Sequence, residues 1–377
     1  MIFLALSLAL GFLVTFAGTP YARKYLLDSG IYGVDQQKQD KPKVPTSGGI
    51  SVVFGFLVSI TFYLGLNSFF TVPGVEVSLI LAALSSVCII TLIGLVDDIH
   101  INIKKLIEDE TELDSDEIDL ELPETRDSPL EKLVAFLRWD LFSEKEDSGE
   151  IHRKGLRQNL KMLFVLPAAF PLIAVGAGSW SMTVPIVGMT INWGIIYPLL
   201  LLPVGLLFVS NIVNMLAGTN GLAAGMSLIA SLTLGTFAIL NGETEAALIA
   251  WSLSAPLAAF LYFNFYPASI LPGDSLTYLC GAAMFSAMVV GNMEKFGVFI
   301  FTPWIMEFFL KLRSSFNAHS WGILQDNGSL KSQHEKIYSL THVFMRRGFT
   351  EKQITVSLII IQALISIVGL FLFTVVI

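Results

Sequence analysis

Charged side chains are scarce in this 377-residue chain: Asp, Glu, Lys and Arg make up 14% of it, whereas hydrophobic residues make up 54%. Soluble domains carry roughly a quarter charged residues, so this composition directs attention to apolar runs of membrane-spanning length. Cysteine is scarcer still, and the two cysteines, Cys88 and Cys280, both fall inside apolar runs. They are expected to pack as small apolar residues, and neither a disulfide framework nor redox chemistry is inferred from them. No internal repeat is evident.

The apolar residues are concentrated in runs that are long enough to cross a bilayer, for which about 17 to 25 residues are needed. The first run has no basic residue before it and is followed by Arg23 and Lys24, so an uncleaved helix fits better than a signal peptide. The sequence therefore predicts an all-α polytopic membrane protein with about ten transmembrane helices, near residues 2–20, 47–66, 77–96, 162–178, 194–213, 222–240, 245–265, 275–291, 296–312 and 354–376.

Lysine and arginine are distributed very unevenly among the connections between these runs. Of the 23 cationic residues, 22 lie in the first, third and ninth connections or at their edges, and Lys295 alone lies on the other side. Cytoplasmic connections carry an excess of Lys and Arg. The distribution therefore predicts that both termini face outward and that the odd-numbered connections are cytoplasmic.

One sizeable segment lies outside the apolar runs, at residues 103–158 between the third and fourth predicted helices. Seventeen of the chain's 31 acidic residues lie between Glu108 and Glu150. Ser128 to Glu131 has the pattern of a helix N-terminus, and an apolar stripe continues from it to about Phe142. We expect one integral membrane catalytic domain, 1–377, with an acidic, mostly flexible cytoplasmic insertion that contains a short amphipathic helix. On the outer side, two β-prone runs about Gly188 predict a surface hairpin.

Polar residues interrupt the apolar pattern most clearly in SNIVNMLAGTNGLAAG, Ser210 to Gly225. Asn211 and Asn214 stand three residues apart and share one face of a helix, and Asn220-Gly221 supplies a turn. Burying an unpartnered amide is unfavourable, so these amides need a ligand, a metal or a partner helix. Packing between membrane helices followed by a helix-ending turn is the alternative interpretation.

Further polar residues fall at cytoplasmic helix ends or in cytoplasmic loops. Carboxylate and amide oxygens are ligands that Mg²⁺ takes beside substrate phosphates, and lysine binds phosphate as a point charge. A capping role for an acid and a snorkelling lysine remain alternatives. Together these polar residues indicate a site for a phosphorylated compound at the membrane surface. They are Asp97, Asp98, Lys161, Asn211, Asn214, Asn220, Asp274 and His319.

Five motifs stand in order along the chain: GVDQQK with the downstream PTSGG, GLVDD, RQNLKMLFVLP, NIVNMLAGTNGLAAG and NFYPASILPGD. In these motifs the chain resembles the polyprenyl-phosphate N-acetylhexosamine-1-phosphate transferases. It resembles most the eukaryotic and archaeal branch that makes dolichyl-diphosphate-N-acetylglucosamine, because bacterial relatives carry an aspartate where this chain has Ala217. The resemblance covers most of the chain outside 103–158.

The resemblance implies a role for each matching residue. Asp274 and Asn214 match the Mg²⁺ ligands, with Mn²⁺ as an alternative ion. The other implied roles are substrate contacts for Lys38, Asn211, Asn220 and His319, with Asn220 at the uridine, and catalytic roles at the phosphates for Asp98, Asp97 and Lys161. The chain departs from the dolichol enzymes at Ala318 and Ser320, which replace the arginines beside the histidine, and at Leu271, which replaces an aromatic residue.

The implied reaction is attack by a polyprenyl phosphate on UDP-GlcNAc with release of UMP, the first step of lipid-linked oligosaccharide synthesis for N-glycosylation. The expected partners are UDP-GlcNAc, a polyprenyl or dolichyl phosphate, the membrane and a second copy of the chain, without nucleic acid. A transferase that places another UDP-amino sugar on undecaprenyl phosphate is an alternative. A secondary transporter is less favoured, because its acids would lie near the bilayer midplane and these cluster at one interface.

Overall fold

The computed structural model describes residues 1–70, 74–99, 142–146, 152–156, 165–183 and 189–376. Lys161 and most of the acidic segment lie outside these ranges, and so does the amphipathic helix predicted from Ser128 onward, apart from its last residue, Phe142. That residue begins a strand.

Most of the described structure is helical. The helices are α1 Ile2–Asp28, α2 Gly49–Phe70, α3 Val77–Asp98, α4 Phe170–Ala174, α5 Leu202–Met215, α6 Leu222–Leu240, α7 Thr244–Asn264, α8 Gly273–Val290, α9 Glu294–Ile300, α10 Thr302–Leu312, α11 Leu340–Met345 and α12 Glu351–Phe371. A 3₁₀ turn, Leu166–Ala169, precedes α4, and π-helical turns precede α5 at Tyr197–Leu201 and follow α12 at Leu372–Val376.

The strands of the described residues form four two-stranded antiparallel hairpins. The paired strands are β1 Tyr32–Val34 with β2 Lys43–Pro45, β3 Phe142–Glu146 with β4 His152–Leu156, β5 Ser181–Thr183 with β6 Thr190–Asn192, and β7 Gly322–Leu324 with β8 Leu330–Ser332. The pairing of β5 with β6 confirms the hairpin predicted about Gly188.

Eight helices of the described residues are long and apolar enough to cross a membrane: α1, α2, α3, α5 with its π-helical turn, α6, α7, α8 and α12. The prediction of a polytopic helical membrane protein is therefore confirmed. The run predicted at 296–312 is interrupted at Phe301, which separates α9 from α10. The run predicted at 162–178 is helical from Leu166 to Ala174 within the described residues.

Helix α8 lies at the centre of the bundle and packs against α2, α3, α5, α6 and α7. Every residue from Ser275 to Val290 is buried, because protein surrounds the helix on all sides. Two helices cross the start of α8 at glycines, which have no side chain to obstruct the contact. A Cβ at Gly94 of α3 would lie 2.7 Å from the Asp274 carbonyl oxygen, and a Cβ at Gly49 of α2 would collide with the backbone nitrogen of Leu276. The first turn of α8 is thus enclosed by other helix ends.

Backbone hydrogen bonds join the first loop to the segment before α8. The amides of Gly48 and Gly49 donate to the carbonyls of Leu271 and Pro272 at 3.0 and 3.1 Å, and the Leu271 amide donates to Pro45 at 2.8 Å. The motifs PTSGG and LPGD, which are more than two hundred residues apart, therefore form one structural unit at the N-terminus of α8.

Candidate active site

Asp98, the last residue of α3, caps the N-terminus of α8. Its Oδ1 accepts a hydrogen bond from the Asp274 amide at 2.7 Å, and its Oδ2 accepts one from the Ser275 amide at 3.0 Å. The first amides of a helix have no partner within the helix and favour negative charge. Gly273 has φ +70°, and a Cβ there would lie 2.8 Å from the Asp98 carboxylate carbon, so the glycine of LPGD lets the two chains approach.

Asp274 and Asn214 are brought together at the meeting of α5 with α8. Asn214 Nδ2 donates to Asp274 Oδ1 at 3.1 Å, and both side chains are half-buried. Carboxylate and amide oxygens suit Mg²⁺, and that ion commonly keeps several water or phosphate ligands beside one or two protein groups. Among the described residues, no three His, Cys, Asp or Glu side chains are grouped to hold a metal by themselves. This pair therefore fits a cation that is shared with substrate phosphates.

Asn211 lies one turn before Asn214 and makes contacts within the bundle. Its Nδ2 donates to the Leu207 carbonyl at 2.8 Å, and the Tyr278 hydroxyl donates to its Oδ1 at 3.4 Å. The structure thus gives Asn211 the helix-packing role that was one of its two interpretations, and its predicted substrate contact stays a prediction.

Asp97 is 2% exposed, so the acidic pair at the end of α3 is buried rather than solvated.

Asn220 lies in the loop between α5 and α6 and is only 6% exposed. Its amide donates to Glu351 Oε1 at 2.8 Å, and its Nδ2 donates to Asp35 Oδ2 at 2.9 Å. Its carbonyl oxygen accepts a hydrogen bond from Thr355 Oγ1 at 3.0 Å. Three distant segments, the first loop, the loop after α5 and the start of α12, therefore meet at one asparagine.

Lys38 joins the same cluster of residues. Its ammonium group is 3.1 Å from Asp35 Oδ2, forms a second ion pair with Glu351, and lies 4.4 Å from the centre of the Tyr266 ring. Beside it, Gln37 Nε2 donates to the Gly218 carbonyl at 2.6 Å. The first loop therefore braces the loop that carries Asn220.

His319 is exposed, and two other histidines hold its backbone. The His319 amide donates to His334 Nε2 at 3.3 Å, and its carbonyl oxygen lies 2.8 Å from His342 Nε2. The next residue, Ser320, donates to the Met215 carbonyl at 2.9 Å, which satisfies an unpaired carbonyl at the end of α5. The segment that follows α10 is thus attached to the helix that carries Asn214.

A buried acid supports this attachment from within α10. Glu307 is fully buried, its Oε2 accepts a hydrogen bond from the Leu340 amide at 2.7 Å, and its Oε1 lies 3.3 Å from Ser320 Oγ. Lys311 is 3.9 Å from Glu307 Oε1 and donates to the Ala318 carbonyl. These contacts fix the residues on both sides of His319.

We predict that acidification destabilises this region through His342. Burial lowers the pKa of His342 to about 4, with further lowering by Lys311 and His334 against a hydrogen bond to the His319 backbone. The Tyr338 amide donates to His342 Nδ1, so the folded protein holds the neutral ring with its proton on Nε2. The unfolded pKa is about 6.5, so this contribution to stability is complete above that pH and is lost as the pH falls toward 4. The melting temperature of purified protein should fall between pH 7 and pH 5, and less steeply in His342→Gln; equal slopes would contradict the assignment.

Four of these residues were not singled out by the sequence: Asp35, Gln37, Glu307 and Glu351. Asp35 and Gln37 belong to GVDQQK, in which a substrate contact was predicted only for Lys38. Glu351 follows Thr350, which with Gln353 forms a capping box, so it has the pattern of an ordinary acid in a first helical turn. Glu307 carried the clearer signal, since an acid within an apolar run marks function or a buried partner.

The fold is that of a polytopic helical membrane protein, and Asp98, Asp274 and Asn214 lie together where the ends of α3, α8 and α5 meet. The model of glycosyl transferase family 4 matches residues 142–292. A putative UDP-N-acetylglucosamine–dolichyl-phosphate N-acetylglucosaminephosphotransferase of Sulfolobus acidocaldarius is 31% identical over 368 residues, covering 97% of this chain and 94% of that protein. The chain belongs to glycosyl transferase family 4, and the resemblance inferred from the five motifs is confirmed.

Two further relatives carry the same description. A putative enzyme of that name from Saccharolobus solfataricus is 29% identical over 372 residues, covering 98% of this chain and 96% of its own length. The corresponding enzyme of Dictyostelium discoideum is 22% identical over 406 residues, covering 95% of this chain and 85% of its own length. The similarity therefore extends along the whole length of the chain.

Proposed function

We propose that this protein transfers N-acetylglucosamine-1-phosphate from UDP-GlcNAc to a dolichyl or related polyprenyl phosphate, with release of UMP. The observation that carries the proposal is the junction of Asp98, Asp274 and Asn214 at adjoining ends of α3, α8 and α5. All three relatives are named for transfer to dolichyl phosphate, which favours this acceptor over undecaprenyl phosphate. The product would begin a lipid-linked oligosaccharide for N-glycosylation.

We propose that Mg²⁺, or Mn²⁺ in its place, is held by Asp274 and Asn214. Such an ion supplies neutralisation of charge on the phosphates, and phosphoryl transfer depends mostly on positioning and on such neutralisation. The half-buried carboxylate and amide suit the ion, and Asp98 fixes the backbone of Asp274 in place. The amide oxygen of Asn214 would be the group that holds the ion, because its Nδ2 donates to Asp274.

The remaining residues divide into a donor side and an acceptor side in this proposal. Asn220, with the first loop behind it, receives the uridine, and His319 lies at the diphosphate. Asp98, with Asp97 beside it, prepares the incoming lipid phosphate, and the Lys161 ammonium group offsets negative charge at the phosphates. Asn211 and Lys38 stay predictions as substrate contacts, because both are engaged with protein groups.

The proposed topology has ten membrane spans, outward termini and a cytoplasmic active site. The eight long helices supply eight of the spans, and the broken α9–α10 segment and the segment that ends with α4 supply the others. The position of 22 of the 23 cationic residues supports this orientation. We also propose that Glu108 to Glu150 is dispensable for catalysis, whereas the expected second copy of the chain stays a prediction.

Labelling of introduced cysteines should report this topology. In a background without Cys88 and Cys280, cysteines near Asn67 and Gly242 are expected to react with an impermeant reagent from outside. Cysteines near Gln39 and Asn327 are expected to react only after the membrane is opened, since their loops carry the cationic excess. Gly242, Gln39 and Asn327 are exposed, so access is not limited by burial. Outside labelling at Asn327 would refute the proposed orientation.

Purified protein in detergent tests the function directly. UMP release is measured with a panel of UDP-sugars, with dolichyl phosphate or undecaprenyl phosphate as acceptor, in the presence of Mg²⁺ or of a chelator. We expect release with UDP-GlcNAc and dolichyl phosphate and its loss on chelation. Preference for another UDP-amino sugar with undecaprenyl phosphate would support the alternative transferase, and absence of UMP release from every pair would refute the proposal.

A further inference from the structure

The side-chain amide of Asn220 is held in one orientation by Asp35. Asp35 Oδ2 accepts from Asn220 Nδ2 at 2.9 Å and lies 3.1 Å from the Lys38 ammonium, while Asp35 Oδ1 accepts from the Gln37 amide at 3.3 Å. A carboxylate paired with an ammonium group only accepts hydrogen bonds. The group that Asn220 turns toward Asp35 must therefore be its NH₂, whichever way the amide is assigned.

This orientation leaves one polar atom of Asn220 unused. Its amide nitrogen, its carbonyl oxygen and its Nδ2 all have partners, whereas its Oδ1 accepts no hydrogen bond from a described residue. The residue is 6% exposed, yet Oδ1 is not among the fully enclosed polar atoms that lack a partner, so this atom can be reached from outside. An accessible acceptor on a fixed side chain is available to a ligand that brings an N–H group.

Nucleotide bases differ in the group they would bring to such an acceptor. Uracil carries a ring N–H at N3, whereas cytosine has an unprotonated acceptor nitrogen at the same ring position. A fixed carbonyl oxygen is complementary to the first and repels the second. A site built to pair a hydrogen-bonding group rejects an analogue that leaves the group unpaired.

We infer that Asp35 is a specificity-determining positioning residue, which makes Asn220 a fixed hydrogen-bond acceptor and thereby selects uridine over cytidine donors. The inference rests on the proposed function, in which Asn220 receives the base. Lys38 and Glu351 complete the arrangement: Lys38 bridges Asp35 and Glu351, and Glu351 holds the backbone amide of Asn220. Both the backbone and the side chain of Asn220 are thus set before a nucleotide binds.

The substitution Asp35→Asn tests the inference without a change in size. An asparagine at position 35 can keep its oxygen on the Gln37 amide and turn its NH₂ toward Asn220, which would then turn its own NH₂ toward the base. We expect the ratio of kcat/KM for UDP-GlcNAc to that for CDP-GlcNAc, with dolichyl phosphate as acceptor, to fall about tenfold or more. The loss should lie mainly in KM for UDP-GlcNAc rather than in kcat.

Two comparison variants separate this role from a general structural one. Thr355→Val removes a hydrogen bond to the Asn220 carbonyl and leaves its contact with Asp35 intact, so the ratio should stay at the wild-type value whatever happens to turnover. Asn220→Ala should lower the ratio as far as Asp35→Asn does, and the double variant should lower it no further.

An unchanged ratio in Asp35→Asn, while the wild-type protein turns over UDP-GlcNAc, would overturn the inference and leave the proposed function standing. Should Asp35→Asn not fold, an unchanged ratio in Asn220→Ala would overturn it equally. Wild-type protein that releases no UMP from UDP-GlcNAc would instead refute the proposed function itself.

Discussion

Replacement of Asp274 by alanine is expected to lower UMP release by about a thousandfold or more, because it removes the charged half of the proposed metal site. Asp274→Asn should be nearly as damaging, since it keeps the shape of the side chain and discards its charge. The fold should survive either change. The contact of position 274 with Asp98 is made by its backbone amide, and its side chain is only half-buried.

The measurement pairs UMP release with Mg²⁺-dependent binding of UDP-GlcNAc for each variant. Asp326→Ala is a matched control, because it removes the same charge from an exposed residue at the tip of the β7–β8 hairpin. That control should retain normal turnover. Near-normal turnover in Asp274→Ala would remove the metal assignment, and an equal loss in both variants would point to a general effect of net charge.

The second large effect is expected for Asp98→Asn, which should still bind UDP-GlcNAc but turn over about a hundredfold more slowly or worse. The proposed partner of Asp98 is the lipid phosphate, so nucleotide binding should be spared. The substitution also replaces one acceptor oxygen with an NH₂ that faces a backbone amide of α8, at a cost of roughly 1–2 kcal/mol in stability. Melting temperature is therefore recorded beside UMP release and nucleotide binding.

Gly273→Ala separates the capping contact from the chemistry of Asp98. It keeps the carboxylate but crowds it, since a Cβ at position 273 would lie against Asp98 at a backbone angle that favours glycine. If Asp98→Asn loses far more activity than Gly273→Ala at equal melting temperature, the carboxylate has a role in the reaction. Loss of nucleotide binding in a well-folded Asp98→Asn would move Asp98 to the donor side.

The sequence predicted a polytopic membrane protein and indicated that the ends of α3, α5 and α8 lie on one side of it. Asp98, Asn214 and Asp274 could be placed at one interface because hydropathy locates helix ends and the cationic residues sort those ends by side. We expected these three residues to lie close together because the helix ends on one side of a bundle occupy a small area. The five motifs added what these patterns do not contain, namely which of the polar residues to assign to one candidate site.

The sequence could not predict which loops brace one another. Asp35 and Asn220 are 185 residues apart, and no periodicity links a loop residue to its partner across such a separation. The break between α9 and α10 was missed for a different reason. Hydropathy measures transfer from water and not backbone hydrogen bonding, so it gives this interrupted run the profile of a continuous helix, although Pro303 in the first turn of α10 is a sequence signal for a helix start.

The hydrogen bonds between the first loop and the segment before α8 run from backbone to backbone, so they depend on no side chain at Pro45, Leu271 or Pro272. A mutational scan should therefore find Leu271 and Pro272, whose side chains are half-buried, tolerant of many residues. Gly48 and Gly49 should be intolerant, because a side chain at either would strike Phe260 or the first turn of α8. The constraint at these two glycines is therefore the space available and not chemical identity, so the link between the first loop and α8 can persist while neighbouring side chains change.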